Sequence, residues 1–348
     1  MAPLESRYAP SAAARAAFLV ELCGRRAFFS VDRLIEAEIF VLANPMSEPA
    51  RVLSENGDWF PTLDDSFLPV KRSDTYRELN GAIDDSGGNR QQRRTLKRQL
   101  FKASHPKPLL KGWMANQAEN GDLTDLLRMY PMRPTDARVL GRYVLGHATH
   151  IEAENAFLES LRDPQWMMQW FGAHHDKLTP ITEWLRRPSK ALTASMKEMA
   201  SEARSLRQIM AIPGSSSQAK SLTKNWWNTA QDQLVINVSN RLLSQFHPDT
   251  ATVCEVSAVD ANCPGLSTFI RSLHSAVWDS VNEQPRVPKD SDVVDAIHAM
   301  YAPYTSVFRA DRYMAPHIQK QVERRGVRVV SQLDTLPEQI KRSLSSIA

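Results

Sequence analysis

Residues 291–311 have the sequence SDVVDAIHAMYAPYTSVFRAD, and this stretch decides the predicted fold. Its first part has the periodicity of a helix, in which Asp292, Asp295 and His298 are three residues apart and share one face. Residues 306–309 form a short apolar strand, and Asp311 comes just after it. Because sites in parallel α/β sheets form at the carboxyl ends of strands, we expect Asp295 and Asp311 to meet there.

Helices and short apolar strands alternate at both ends of the chain. After Asp311, a helix at 313–325 and a strand at 327–331 follow. Near the N-terminus, a strand at 26–30 lies between a helix that ends at Gly24 and a helix at 31–43. This alternation predicts parallel strands that are joined by crossover helices.

The residues between these ends have a different character. Residues 45–90 are rich in Pro, Gly, Asp and Ser and are predicted to form mostly loops, whereas residues 90–260 are predicted to be helical. We therefore predict an α/β fold that is mostly helical, with a small parallel sheet built from both termini. Residues 1–45 and 285–348 would form this discontinuous core, and residues 46–284 would form a large helical insertion.

The composition is that of a globular chain. Of the 348 residues, 42% are hydrophobic and 24% are charged, which excludes a disordered or collagen-like chain. The net charge of +4 is too small to imply nucleic-acid binding by itself. Three cysteines without Cys-x-x-Cys spacing predict free thiols. Because no apolar run approaches the roughly 20 residues of a membrane span, we expect a cytoplasmic protein without a membrane partner.

Carboxylates are concentrated at the predicted edge of the sheet. Glu36 and Glu38 lie on the helix after the first strand, so that with Asp295 and Asp311 they would bring three or four carboxylates together. Such a cluster repels itself unless a divalent cation neutralises it, and hard oxygen ligands favour Mg²⁺ or Mn²⁺. A metal site of this kind can activate water and hold a phosphodiester. The same pattern is also typical of a helix-start acid at Asp292 and of solvated glutamates.

Three segments resemble the PIN-like domain family of metal-dependent ribonucleases, which are common as bacterial toxins and RNA-processing enzymes. Residues 288–314 resemble the family's acid-bearing helix, apolar strand and following acid, with Asp295 and Asp311 at the two acid positions and Asp292 as an additional acid. Residues 327–337 resemble the last strand and the turn after it. Residues 27–39 resemble the early strand and its acid-bearing helix.

The resemblance implies an α/β nuclease that uses Mg²⁺ or Mn²⁺ to cleave RNA. Asp295, Asp311 and Glu38 would be the metal ligands, and Asp292 would assist them. Glu36 remains the alternative to Glu38, because the distance from Ser30 favours Glu36 and the local Ala-Glu-Ile pattern favours Glu38. A toxin-like member would also bind a protein inhibitor or antitoxin.

The N-terminal residues depart from the family pattern. PIN domains open with an apolar strand that ends in a metal-binding Asp, and the sequence Met1-Ala-Pro-Leu-Glu5-Ser-Arg-Tyr8 has neither feature. This departure supports a second interpretation, a catalytically weakened PIN-like module that binds RNA or a protein. A third interpretation is a helical interaction protein.

A basic segment lies between the two ends. No acidic residue occurs from Ser86 to Ala118, and the span holds Arg90, Arg93, Arg94, Lys97, Arg98, Lys102, Lys107 and Lys111. Residues 90–102 are predicted to be helical, and a block of one charge sign can follow a phosphate backbone. We therefore expect RNA binding here, although a solvated helix face has the same pattern. Trp113 and the pair Trp226-Trp227 could stack on bases but are more typical of a core.

Overall fold

A computed structural model of the chain describes residues 9–60, 89–102, 105–106, 131–144, 147–173, 190–202, 204–205, 216–249, 253–279 and 288–345. The first elements are α1 (Ala9–Cys23), β1 (Ala27–Phe28), α2 (Val31–Ala43), β2 (Leu53–Ser54), α3 (Arg90–Leu100), β3 (Phe101–Lys102), β4 (His105–Pro106), α4 (Pro134–Val144), α5 (His150–Leu161) and α6 (Pro164–Ala173). The chain continues with α7 (190–202), α8 (Ser216–Phe246), α9 (Val256–Asn262), α10 (Pro264–Asp279) and α11 (Asp290–His298). A 3₁₀ segment (Ala299–Tyr304), β5 (Val307–Arg309), α12 (Met314–Val322), a 3₁₀ turn (Glu323–Arg325), β6 (Arg328–Val330) and α13 (Leu336–Ser345) complete the described chain.

The described part of the chain is mostly helical with a few short strands, as predicted. β5 and β6 pair in parallel, with Phe308 opposite Val329, and α12 lies between them in the sequence. This is the strand–helix–strand unit that the alternation at the C-terminal end predicts. β3 and β4 pair in an antiparallel arrangement within the basic segment.

The strands of the two chain ends do not share a sheet among the residues described. β1 pairs with β2, β5 pairs with β6, and β3 with β4 forms a third separate pair. The backbone N–H of Phe29 donates to the carbonyl oxygen of Val52 at 2.9 Å. The predicted single sheet from both termini is thus not formed in this part of the chain. When β1 pairs with the segment just beyond α2, it closes a much shorter loop than it would by pairing with β5. The entropy cost of closing that loop is therefore smaller.

The chain divides into two compact units, and it passes from one unit to the other after residues 27, 53 and 180. One unit comprises Met1–Ala27 with Ser54–Pro180, and the other comprises Phe28–Leu53 with Ile181–Ala348. These boundaries differ from the predicted ones at 45 and 285. The second unit takes in α7 to α10, which the sequence analysis assigned to the insertion.

In the first unit, α4 packs on α5 and α1 packs on α6. Met132, Leu140 and Ala153 are fully buried between α4 and α5. The start of α5 is closed by a reciprocal capping box, in which Glu152 accepts from the backbone N–H of Thr149 and its own N–H donates to the Thr149 hydroxyl. Glu152 therefore has a structural role at a helix end.

In the second unit, α10 is the central helix. It contacts α2, α8, α11, α12 and the 3₁₀ segment. Leu273 and Val277 pack in one apolar cluster with Val293 and Ile318, and the N-terminal half of α10 packs in a second cluster with α2 and α8. The hydroxyl of Tyr301 donates to the carbonyl oxygen of Phe29 at 2.7 Å. Packing around α10, and not a shared sheet, thus joins the segment 28–53 to the C-terminal elements.

The three cysteines are free thiols, as the sequence predicts, with Cys23 exposed and Cys254 and Cys263 buried. Within the described ranges, every helix is too short or too polar to cross a lipid bilayer.

Candidate functional site

The two aspartates that the sequence places at the end of β5 lie near each other and interact electrostatically. Asp295 lies on the second turn of α11, and Asp311 follows β5 by two residues. The two side chains are close enough for Asp311 to act on the pKa of the Asp295 carboxyl. Burial is the largest cause that raises the pKa of Asp295, and the negative charges of Asp311 and Asp292 raise this pKa further, while His298 opposes them.

Asp311 is held in place by the helix that follows it. Its Oδ1 accepts a hydrogen bond from the backbone N–H of Met314 at 2.5 Å, and its carbonyl oxygen accepts from the N–H of Ala315 at 3.0 Å. An aspartate in this position caps a helix start, because it satisfies a backbone donor that has no partner inside the helix. The start of α12 therefore holds the Asp311 side chain in place.

Asp292 is buried, with 1% of its surface exposed. Its Oδ2 accepts from the backbone N–H of Lys289 at 2.9 Å, and the N–H of Asp292 donates to the carbonyl oxygen of Lys289 at 3.0 Å. This geometry is that of a helix-start acid, the alternative that the spacing also allows. Asp292 thus contributes negative charge to Asp295 and closes the first turn of α11.

Glu36 and Glu38 have opposite environments, although both lie on α2. Glu36 is exposed, whereas Glu38 is fully buried. The backbone N–H groups of Gly265 and Leu266 donate to its two carboxylate oxygens at 2.6 Å and 2.9 Å, and the hydroxyl of Tyr304 donates to Oε1. Glu38 thus binds the N-terminus of α10, where unpaired N–H groups and the helix dipole favour a negative charge.

Burial and hydrogen bonding act in opposite directions on the pKa of Glu38, and the effect of burial is larger. Burial raises the pKa of Glu38 to about 7, although the hydrogen bonds from Tyr304, Leu266 and Gly265 and the charge of Arg325 act in the opposite direction. The glycine is required by the close approach, because a Cβ at position 265 would lie 2.6 Å from the carbonyl oxygen of Met300 and 2.7 Å from Glu38 Oε1. Tyr304 and Gly265 were not identified from the sequence. Pro264 at the first position of α10 was the available signal for a helix start.

The three predicted metal ligands do not form one group. Within the described residues, no set of three or more His, Cys, Asp or Glu side chains is arranged to hold a metal ion. The prediction of Glu38 as a ligand beside Asp295 and Asp311 is corrected accordingly, because the carboxylate oxygens of Glu38 already accept hydrogen bonds from α10 and Tyr304. The acid pair of Asp295 and Asp311 is the part of the predicted site that the structure brings together.

The basic segment forms the helix α3 from Arg90, as predicted. This helix ends at Leu100, and Lys102 lies in β3, which follows it. Asn89 caps α3, since its Oδ1 accepts from the N–H groups of Gln91 and Gln92. The cations fall into two rows at i, i+4 spacing. Arg90, Arg94 and Arg98 are exposed and form the basic stripe, and Arg93 and Lys97 are half-buried. Lys107, Lys111 and Trp113 lie outside the described residues.

The tryptophan pair is divided between core and surface. Trp227 is buried in the cluster around α10, with its ring centroid 4.1 Å from that of His274 and 5.1 Å from that of Trp278. Trp226 is 51% exposed. The core position is therefore confirmed for Trp227 alone.

A scan of the chain against models of protein families finds no match, and searches of curated proteins and of solved structures find none either.

Proposed function

We propose that this protein is a PIN-like, metal-dependent endoribonuclease in which Asp295 and Asp311 hold a Mg²⁺ or Mn²⁺ ion. The observation that supports the proposal most directly is the proximity of these two carboxyl groups at the carboxyl end of β5, where burial and the charge of Asp311 raise the pKa of Asp295. Two neighbouring carboxylates of this kind destabilise the folded protein unless a proton or a cation offsets their repulsion.

The donor set fits a hard divalent cation. Mg²⁺ is usually bound through one or two carboxylates, with water and substrate phosphates completing its coordination. Asp295 and Asp311 provide two such ligands, and Asp292 adds negative charge one turn earlier on α11. A cation bound there would supply charge neutralisation at a phosphodiester. Asp311 is oriented by α12 and Asp295 by α11, so the ligands are positioned by helices.

RNA is the proposed substrate because of the basic stripe on α3. Its three arginines are one helical turn apart and exposed on one side of the helix. Three cations along one helix face can contact successive phosphates of a single strand, each contact releasing counterions.

We expect that Glu substitution of Arg90, Arg94 and Arg98 together weakens binding of single-stranded RNA at least tenfold. The slope of log affinity against log salt should become shallower by about 2, since each phosphate contact on a single strand contributes about 0.7. Fluorescence anisotropy with a labelled RNA at several salt concentrations measures both. Arg138→Glu with Arg142→Glu is the matched control, because these arginines are also exposed and one turn apart, on α4. An equal loss in the control would show that net charge matters and the stripe does not.

A second candidate function is a PIN-like module that binds RNA or a protein, such as an inhibitor or antitoxin, without efficient cleavage. The hydrogen bonds between Glu38 and α10 favour this second function. Because they occupy Glu38, two carboxylates, Asp295 and Asp311, remain to bind a metal among the described residues. A mixed pool of single-stranded RNA, incubated with the protein in Mn²⁺, Mg²⁺ or EDTA, separates the two functions. Metal-dependent cleavage supports the nuclease, and RNA binding without cleavage supports the binding module.

A further inference from the structure

The 3₁₀ segment Ala299–Tyr304 connects the two acids, since it lies between α11, which carries Asp295, and β5, which precedes Asp311. It is held to the rest of the unit by two hydrogen bonds and approaches the start of α10 closely at a third point. Tyr301 donates to the carbonyl oxygen of Phe29, Tyr304 donates to Glu38, and the carbonyl of Met300 lies where a side chain at Gly265 would project. The position of one acid relative to the other thus depends on contacts with α2 and with the start of α10.

The contact with Glu38 depends on a proton. The ionised carboxylate can accept all three of its hydrogen bonds at once. A protonated carboxyl must donate its own hydrogen, and among its three partners Tyr304 alone has an oxygen that can accept it, because the other two are backbone N–H groups. Protonation of Glu38 therefore reverses the direction of the hydrogen bond with Tyr304.

Among the described residues, three other charged or titratable groups act on Glu38 or bond to it. The guanidinium of Arg325 acts on it through charge, the phenol of Tyr304 is bonded to it, and the thiol of Cys263 donates to the backbone carbonyl of Glu38 at 3.3 Å. Burial raises the pKa of the Cys263 thiol and of the Tyr304 phenol. These two groups stay protonated near neutral pH, so Glu38 is the group whose charge changes there.

We propose that Glu38 is a positioning residue for the acid pair: with Tyr304 and the start of α10 it forms a clamp that holds the segment Ala299–Tyr304 closed, and opening of this clamp hydrates Glu38. The control of the acid pair rests on the proposed function, whereas the clamp on the segment does not. Because burial raises the pKa of Glu38 to about 7, the free energy of opening this clamp depends on pH below neutral pH.

Backbone hydrogen exchange tests the clamp without any assay of cleavage. An opening that hydrates Glu38 becomes easier as pH rises from about 4.5 towards 7, since Glu38 then loses its proton more readily in the open form than in the closed form. We expect the protection factors of Gly265, Leu266 and residues 299–304 to fall over this range, by up to about tenfold per pH unit, and to level off above it.

Two variants and one control make this test specific. Glu38→Gln should abolish the pH dependence, and Tyr304→Phe should lower the protection of residues 299–304 at every pH while the dependence remains. Glu36→Gln, on the same helix but exposed, should leave the exchange pattern unchanged. Protection factors in the unchanged protein that do not vary between pH 5 and 7 would overturn the clamp. If Glu38→Gln does not fold, a carbon NMR titration of Glu38 decides instead, and a midpoint below about 5 overturns the proposal.

The link to the acid pair is tested with Mn²⁺ alone, by electron paramagnetic resonance. Tyr304→Phe should weaken Mn²⁺ binding by about tenfold, at the lower end of the range for groups that orient metal ligands. An unchanged Mn²⁺ affinity in Tyr304→Phe overturns the positioning role. If the unchanged protein binds no Mn²⁺, the proposed function fails and the positioning role fails with it, while the exchange data still decide the clamp.

Discussion

Asp295→Asn is expected to raise the thermal midpoint of the metal-free protein at pH 7.5 and to abolish the rise that Mn²⁺ causes. Without metal, the amide removes one of two neighbouring negative charges and can donate a hydrogen bond to Asp311. With Mn²⁺ at 100 times its dissociation constant, the unchanged protein should gain about 2.7 kcal/mol of unfolding free energy, and the variant should gain little. RNA cleavage should fall about 100-fold or more, because loss of a metal ligand costs several kcal/mol in the transition state.

The variant should thus be more stable than the unchanged protein without metal and should lose the stabilisation by Mn²⁺. This combination distinguishes a metal ligand from a structural acid. Asp290→Asn is the matched control, since Asp290 lies on the same helix and is exposed. It should leave the Mn²⁺-dependent rise and the cleavage rate in place. Metal-dependent cleavage that survives Asp295→Asn would refute the site, and destabilisation of the metal-free protein would show that the pair is a stabilising contact.

Gly265→Ala is expected to destabilise the second unit by roughly 2–4 kcal/mol, at or above the usual cost of an overpacked core. The added Cβ would lie 2.6 Å from a backbone oxygen and 2.7 Å from a carboxylate that three hydrogen bonds hold in place. Urea unfolding measures the change in free energy.

Gly326→Ala is the comparison for Gly265→Ala. Gly326 has φ +75° and nothing within 4 Å of an added Cβ, so this variant reports backbone strain without a steric clash. Its cost should be about 1 kcal/mol. If Gly265→Ala costs no more than Gly326→Ala, Glu38 and the Met300 carbonyl do not approach α10 closely enough to exclude a Cβ.

Local patterns in the sequence were sufficient for the C-terminal strand–helix–strand unit and for the proximity of Asp295 to Asp311. Both depend on elements within about 40 residues of one another, where the order of helix and strand restricts the pairing. The start of α3 at Arg90 was likewise readable, because Asn89 and the basic run that follows it are local signals.

The sheet partner of β1 and the central place of α10 could not be read in the same way. Strand pairing over two residues carries almost no side-chain information, so chain proximity decides it. α10 has an apolar stripe of Leu266, Ile270, Leu273 and Val277, which predicts one buried face. The opposite face is buried too, and because its side chains are polar (Ser267, Thr268, Ser272 and His274), periodicity gave no sign of a central position.

The choice between Glu36 and Glu38, in contrast, was available from the sequence. Leu34, Glu38 and Leu42 are spaced by four residues, so they share the buried face of α2, whereas Glu36 lies about 200° around the helix from Glu38. What the sequence does not contain is the reason a carboxylate is buried there. That reason is the N-terminus of α10, which is distant along the chain.

This distance has a consequence for biosynthesis. Glu38 and Gly265 are separated by 227 residues, so at about 5–20 residues per second the start of α10 follows α2 out of the ribosome by roughly 10–45 s. During that interval Leu34 and Ile39, which are fully buried in the finished protein, lack their native cover. The nascent chain is then prone to aggregation through α2, and the yield of folded protein is expected to depend on chaperones that hold this segment until the second half of the chain has been made.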